Sequence, residues 1–512
     1  MATVIIKRLN NLIQLSIEGD LPLPENLVAL LHPHLSYEKK EFLRGQDTQL
    51  LPNMEFPIVR RNTRGRMRFT PVSMYELRSG ALITGYGMLT KIVSVLDKAG
   101  IGSRYVDLTP PHEDPTIFEP DWANLAKKVP TLRPKQLECL QRLAGTDCGI
   151  IAAAPGFGKS FMVEAICHLY PRARIHYVVP QKDVAQKVAA VLTGKFPNVG
   201  VYGGGSHKPG ERITVFTSGS VHHSDGAADI LLCDEVHDMM TDKMIEKITA
   251  TWRTTRNYGF TATPKGRMDG ADAQLELYFG PQIFYLSYQE ACELGLVVPI
   301  VVRWLPINMD INPCAGKEDV RKMRLGIWRN EARNRAIAQD IRNNYPDPDT
   351  QVLVLCATVE HAIHLWQFLP EFKMCFSDQD MGNIEWYQKT HMLPHNFEIV
   401  TGKIRERMRT EFAAGTLKRV IATDVWTTGV DFSSLQVLYR VDARSSQIKD
   451  VQAPGRVSRI SPDTGKQFGE VIDCWDRFDP TFLRKSEGRR RTYKSLGWKQ
   501  TTISPDGQLT LF

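Results

Sequence analysis

The sequence predicts an α/β protein: two tandem parallel-sheet domains behind a small α+β N-terminal domain. Three observations carry that expectation. First, 512 residues exceed what one hydrophobic core usually organises, and point to about three domains. Second, from Gly149 onward short apolar strands alternate with helical stretches, the rhythm of a parallel sheet covered on both faces. Third, that rhythm runs twice, once before about Ile307 and once after it.

The first block spans residues 1–128. Thr90–Ala99 reads as an amphipathic helix stopped by Gly100, and Arg104–Leu108 reads as a strand. Pro110, Pro111, Pro115 and Pro120 mark a linker into the next block. Earlier in the block five arginines crowd together: Arg60, Arg61, Arg64, Arg66 and Arg68. Arg64, Arg66 and Arg68 alternate, so on a strand they share one face. Such a face suits a phosphate backbone; a basic hairpin tip that only aids solubility is the plainer alternative.

The second block spans residues 129–307. Gly149–Ala153 reads as a strand, Lys159–Leu169 as a helix and Ile175–Val179 as a strand. Gln181–Leu192 reads as a helix, and Ile213–Thr217 and Ile230–Cys233 as strands. The third block, residues 308–476, repeats the pattern. Its strands are Gln351–Cys356, Arg419–Thr423, Val437–Val441 and Glu470–Cys474, with a helix at Glu360–Phe368. The closing segment, residues 477–512, is basic and reads as a helix plus a tail.

Composition narrows the class. Hydrophobic residues make up 42% and charged residues 24%, the balance of a globular protein. The net charge of +7 tilts weakly toward an anionic partner. None of the nine cysteines forms a CxxC pair, which argues against a zinc site or a disulfide scaffold. There is no apolar run of membrane-spanning length, so no membrane partner and a cytoplasmic location are expected.

The strongest motif is Ala153-Ala-Pro-Gly-Phe-Gly-Lys-Ser160. A strand delivers the loop, and a helix follows it. Pro155, Gly156, Phe157 and Gly158 form the turn. The two glycines allow backbone conformations that aim successive N–H groups at phosphate oxygens. Lys159 can reach the β- and γ-phosphates, and the Ser160 hydroxyl can ligate Mg²⁺. Ala153 stands where the usual pattern has its first glycine. About 75 residues later, Ile230-Leu-Leu-Cys-Asp-Glu-Val-His237 ends an apolar strand with two carboxylates. Asp234 can hold Mg²⁺, and Glu235 can orient or deprotonate the attacking water. His237 sits beside them as a sensor of the nucleotide. ATP and Mg²⁺ are therefore the expected cofactors.

These two motifs resemble motifs I and II of superfamily 2 DExH helicases, and further motifs follow in the family's order. Thr131-Leu-Arg-Pro-Lys-Gln136 resembles the segment that contacts adenine, with Arg133 and Gln136 as its binding residues. Thr261-Ala-Thr-Pro264 resembles motif III, in which Thr261 and Thr263 couple hydrolysis to domain closure. Thr423 with Gly429-Val-Asp431 resembles motif V, which implies nucleotide contacts at Gly429 and Asp431. Gln452-Ala-Pro-Gly-Arg-Val-Ser-Arg459 resembles motif VI. That implies catalytic roles for Gln452, Arg456 and Arg459. Guanidinium groups suit the charge that gathers on a departing γ-phosphate. Arg456 and Arg459 lie three apart, which places them on one face of a helical turn.

The resemblance implies two RecA-like domains with ATP between them. It also implies nucleic-acid backbone contacts at Pro180, Gln181, Thr217, Ser218, Thr358 and Thr423, positions that hold a strand without reading its sequence. Within the superfamily the chain looks most like UvsW-type phage recombination helicases and XPB-type helicases. Gly280–Gly295, Asn330–Asn334 and the closing Arg484…Trp498 stretch resemble that group. The implied activity is ATP-driven 3′-to-5′ translocation by a monomer on DNA, remodelling forks and Holliday junctions. An RNA-directed or transcription-release ATPase and the motor subunit of a restriction complex are the alternatives.

Overall fold

The computed structural model describes residues 3–46, 61–110, 112–239, 244, 247–248, 251–252, 256–262, 273–376, 384–398, 400–423, 426, 432, 434–444, 454–460, 465–503 and 509–511. The chain divides into two compact units, Met1–Leu286 and Ser287–Phe512.

The first unit begins with strands β1 (Val4–Leu9) and β2 (Leu12–Ile17). A long ribbon follows, β3 (Ser36–Gln46) with β4 (Arg61–Ser73), then β5 (Tyr75–Arg78), β6 (Ala81–Gly85) and β7 (Ser103–Asp107). Five of these form a sheet in the order β5-β6-β2-β1-β7, antiparallel except where β7 lies parallel to β1. The helix Leu89–Lys98 turns Ile92 and Leu96 onto Ile6, Ile13 and Leu82. The predicted α+β character of this block holds. The ribbon pairs β3 with β4 from Ser36↔Ser73 to Gln46↔Arg61, apart from the five-stranded sheet.

This N-terminal domain is docked, not merely linked, onto the parallel-sheet domain that follows it. Arg8 lies 3.7 Å over the Tyr86 ring and bonds Asp147 at 2.8 Å. Asn11 donates to the Trp252 carbonyl at 2.6 Å, and Lys91 pairs with Glu276 at 2.8 Å. Glycine is needed at two points of the seam. A Cβ on Gly85 would stand 2.3 Å from the Leu277 carbonyl, and one on Gly87 would stand 2.0 Å from the Glu276 carbonyl. A cavity of about 550 Å³ lies along the seam, between Tyr75, Tyr86, Asn257 and Gln274.

The parallel-sheet domain of the first unit is built from β8 (Cys148–Ala153), β9 (Ile175–Val179), β10 (Gly200–Gly203), β11 (Ser206–Lys208), β12 (Ile213–Thr217), β13 (Ile230–Cys233), β14 (Arg256–Thr261) and β15 (Gln282–Leu286). The order is β11-β10-β12-β9-β13-β14-β8-β15, all parallel except β11. Its central strands are apolar on both faces, as burial between two helical layers requires.

The second unit repeats the plan. Its strands are β16 (Ile300–Ile307), β17 (Val352–Leu355), β18 (Lys373–Cys375), β19 (Arg419–Ala422), β20 (Val437–Arg440), β21 (Gly469–Asp476), β22 (Lys499–Ile503) and β23 (Leu509–Leu511), in the order β18-β19-β17-β20-β21-β16-β22-β23. Two expectations need correction. Strand β16 pairs with β21 and β22, so the stretch up to Ile307 belongs in part to the second sheet. The closing segment is also more than a helix and tail: after the helix Pro480–Ser495, β22 runs parallel to β16 and β23 closes the edge. Lys-Gln-Thr-Thr-Ile is too polar to announce a strand by its apolar pattern; its place at the sheet margin explains that composition.

Three ion pairs hold the helices of this unit to its sheet. Arg333 meets Asp476 at 2.7 Å, Arg489 meets Asp473 at 2.8 Å, and Arg303 meets Asp340 at 2.7 Å. The first two pairs are fully buried. The Tyr493 hydroxyl donates to Asp473 at 2.8 Å and accepts from Arg440 at 2.9 Å.

Candidate nucleotide site and nucleic-acid contacts

The phosphate loop is assembled as its sequence suggests. Strand β8 lies between β14 and β15 and runs into residues 154–158, after which the helix Lys159–Leu169 begins. Gly156 and Gly158 both take φ of 90°, a conformation open to glycine and costly for other residues. Phe157 is buried against Phe284, with ring centroids 5.4 Å apart. Gln136 braces the loop: its side-chain amide donates to the Phe157 carbonyl at 2.8 Å and accepts from the Arg133 N–H at 3.1 Å. The loop is thus held by a buried glutamine, while Arg133 itself is exposed at the start of the helix Pro134–Ala144. Pro155 is part-exposed and Ser160 is exposed.

Asp234 and Glu235 follow β13 directly, at the sheet edge where β8 delivers the loop. Lys159 Nζ lies 2.5 Å from Glu235 Oε1 and 3.8 Å from Asp234 Oδ1. Glu235 adopts φ of 45°, a left-handed conformation that costs a non-glycine residue on the order of 1 kcal/mol or more. Its N–H donates to Asp234 Oδ1 at 3.0 Å. Strain of this kind, at a carboxylate aimed along the sheet edge, is characteristic of a site shaped by its chemistry. Burial holds the Asp234 carboxyl above the ordinary carboxylate range, with Lys159 pulling the other way. His237 is buried. Its Nδ1 lies 2.5 Å from Thr261 Oγ1 at the end of β14, and 3.6 Å from Glu235 Oε2. His237 and Thr261 therefore join the acidic pair to the neighbouring strand.

Sequence reasoning overlooked Tyr177. It is fully buried on β9 beside Asp234, and burial, then the Asp234 charge, push its phenol well above the ordinary value. A tyrosine inside Ile-His-Tyr-Val-Val gives no signal of its own; only the pairing of β9 with β13 puts it there.

The expected nucleic-acid contacts divide. Pro180 and Gln181 follow β9, and Thr217 and Ser218 end β12, at the same edge. Ser218 Oγ donates to the Pro180 carbonyl at 3.3 Å, tying the two segments together. The Thr217 hydroxyl is buried and pairs with Ser220 Oγ at 2.7 Å, so it caps the turn Ser218–His223. Arg61, Arg64, Arg66 and Arg68 lie on β4 of the ribbon. Arg60 falls outside the described residues.

In the second unit the Thr358 hydroxyl accepts from the His361 N–H at 3.1 Å and caps the helix Val359–Trp366. Thr423 is buried after β19, its N–H donating to the Cys375 carbonyl at 3.1 Å. Arg456 is buried in the short turn Pro454–Arg456, and Arg459 is half-buried. The expected single helical face for these arginines is not formed: the turn ends at Arg456, and the Ser458 carbonyl accepts instead from the Val298 N–H at 2.7 Å. Thr263, Gly429, Asp431 and Gln452 fall outside the described residues. Among the described residues no group of three or more His, Cys, Asp or Glu is arranged to hold a metal unaided. Ser160 and Asp234 are the oxygen donors here that could hold a magnesium ion shared with a nucleotide.

The family model for the type III restriction enzyme res subunit matches residues 130–266, and the model for the helicase conserved C-terminal domain matches residues 336–461. The probable helicase D10 of Escherichia phage T5 is 22% identical over 71% of this chain and 76% of its own. A fragment of a putative type I restriction HsdR subunit from Vibrio vulnificus shares the fold. It aligns over 95% of this chain and 99% of its own, with 17% identity and a TM-score of 0.51. The crystal structure of T4 UvsW aligns over 98% of this chain and 99% of its own at 15% identity, with a TM-score of 0.40.

Proposed function

We propose that this chain, with its match to a res-subunit model followed by a match to a helicase C-terminal model, is a superfamily 2 helicase that remodels branched DNA by ATP-driven translocation. The observation that carries the reading is the Lys159–Glu235–Asp234 cluster at the mouth of the phosphate loop. Lys159 and Glu235 neutralise each other. An incoming triphosphate competes for Lys159 and releases Glu235 to orient or deprotonate a water. Asp234 and Ser160 hold Mg²⁺, which neutralises phosphate charge. The backbone N–H groups around Gly156 and Gly158 cradle the phosphates. By the motif resemblance, Arg456 and Arg459 stabilise the charge that gathers on the departing γ-phosphate.

DNA as the track, forks and four-way junctions as substrates, and 3′-to-5′ polarity rest on the motif resemblance to UvsW-type helicases. The β3–β4 ribbon supports the same reading. A two-stranded ribbon fits a duplex groove, and β4 carries Arg61, Arg64, Arg66 and Arg68. A second reading is the motor of a restriction complex. The description of the matching N-terminal family model and the likeness in fold to an HsdR fragment favour it.

ATP turnover measured with single-stranded, duplex, forked and four-way DNA, and with RNA, tests the proposal. The largest stimulation is expected from forked or four-way DNA. Stimulation by RNA alone overturns the reading. Stimulation by linear duplex alone, without strand separation, favours the restriction motor.

A further inference from the structure

Beyond the motifs, the first unit carries an aromatic cluster at the same sheet edge. Tyr202, at the end of β10, stacks on the buried Phe216 with centroids 5.1 Å apart and planes 2° apart. Its ring also stacks with His223, at 5.6 Å and 18°. His222 lies 4.0 Å from His223, and His207 of β11 meets His223 edge-on at 4.9 Å. Tyr202 thus stacks with both the buried Phe216 and the exposed His223, and His222 and His207 lie beside His223. The three histidines are exposed, and Tyr202 is half-buried.

Its location is fixed by backbone and side-chain bonds. The turn Ser218–His223 begins at Ser218, which is bonded to Pro180. Ser220 Oγ donates to the Tyr202 carbonyl at 2.6 Å, holding that turn against β10. Tyr202 is paired with His207 across the β10–β11 hairpin and with Phe216 across β10–β12. Exposed aromatic rings are rarely kept without use, and these lie at the strand ends where an open parallel sheet receives ligands. The histidines are not grouped as metal ligands. Lys208 is exposed next to His207 and adds positive charge. Partial desolvation, then the neighbouring His222 and His207, hold His223 below the ordinary histidine value.

We propose that Tyr202, His207, His222 and His223 form a stacking platform for the bases of single-stranded nucleic acid. An unpaired base stacks on the exposed rings of this cluster. This rests on the reading of the chain as a nucleic-acid motor, and it adds a contact to bases where the motifs supply contacts to backbone. Such a platform would hold the separated strand without sequence preference, because every base has a flat face.

The test uses the full chain with a thymidine oligonucleotide and an abasic oligonucleotide of equal length as probes. In the triple variant His207→Ala, His222→Ala, His223→Ala, the thymidine concentration giving half-maximal ATPase stimulation is expected to rise about tenfold. The kcat at saturation and the melting temperature should stay unchanged. The paired variant His222→Phe, His223→Phe should bind like wild type, since it keeps the rings. The wild-type preference for thymidine over abasic oligonucleotide should shrink in the triple variant. If the wild type responds to oligonucleotide but the triple variant matches it, the platform is refuted and the motor reading stands. If the phenylalanine variant is as weak as the alanine variant, charge and not stacking is responsible and the platform is again refuted. If no nucleic acid stimulates the wild type, both readings fall.

Discussion

The two parallel-sheet domains share one architecture and use buried charge in opposite ways. In the second unit Arg333–Asp476 and Arg489–Asp473 are closed pairs, fully buried and joined to neighbours such as Tyr493. Each guanidinium faces its own carboxylate, and the pairs pin helices to the sheet. In the first unit Lys159 faces two carboxylates, one of them on a strained backbone. That cluster holds one carboxylate more than its lysine can neutralise. The comparison teaches that a buried ion pair is read by its surplus: a saturated pair organises a core, whereas an unsaturated one awaits a substrate.

The difference between stability and turnover should therefore separate cleanly by domain. Glu235→Gln and Lys159→Ala are each expected to lower ATP turnover at least about a hundredfold, with melting temperature nearly unchanged. Comparable turnover in either variant would mean that the cluster is structural after all. Arg489→Ala should do the reverse. It leaves Asp473 buried without its partner and is expected to cost about 3–5 kcal/mol of stability, read by denaturant unfolding. The double change Arg489→Met, Asp473→Leu should recover much of that loss; failure to recover would show that the pair does more than hold the helix.

Asp234 gives a subtler contrast. Because burial raises its pKa, the folded chain holds that proton more tightly than the unfolded chain. Its stabilising contribution is present below the ordinary carboxylate range and is lost as pH rises through it. At pH 7 the ionised group is thus a net burden, and Asp234→Asn is expected to raise the melting temperature while abolishing turnover. A lowered melting temperature would contradict this. For the wild type, Mg²⁺-dependent nucleotide binding should fade at a higher pH than an ordinary carboxylate would allow. The smallest effect is expected on the ribbon: replacing Arg64, Arg66 and Arg68 together should reduce the salt slope of DNA binding by up to about three. An unchanged slope in binding titrations removes the ribbon from the interface.

Much of the candidate site was legible in the sequence because its parts are local. Strand, glycine turn and helix are consecutive, so Ala153–Ser160 announces itself, and Asp234-Glu235 ends an apolar run. The strands Ile175–Val179, Ile213–Thr217 and Ile230–Cys233 are observed with the expected bounds, since strands buried on both faces are continuously apolar. What depends on pairing across the chain was not legible. Tyr177 reaches Asp234 only through the β9–β13 register. The threonines at 217 and 358 look like phosphate donors in sequence, yet their hydroxyls cap local turns. Polar β22 gave no strand signal, because a sheet margin does not demand an apolar pattern.

Gly85 and Gly87 carry a practical consequence for anyone dividing this protein. They let the N-terminal domain lie directly on the helix Ala273–Phe279, and Leu277 packs into that domain's core. A version of the protein begun near Val129 would expose that helix to water. It should come out of an expression host as aggregate, whatever the health of its catalytic residues. The whole chain, or a cut that keeps the first unit entire, is the sensible starting material for biochemistry.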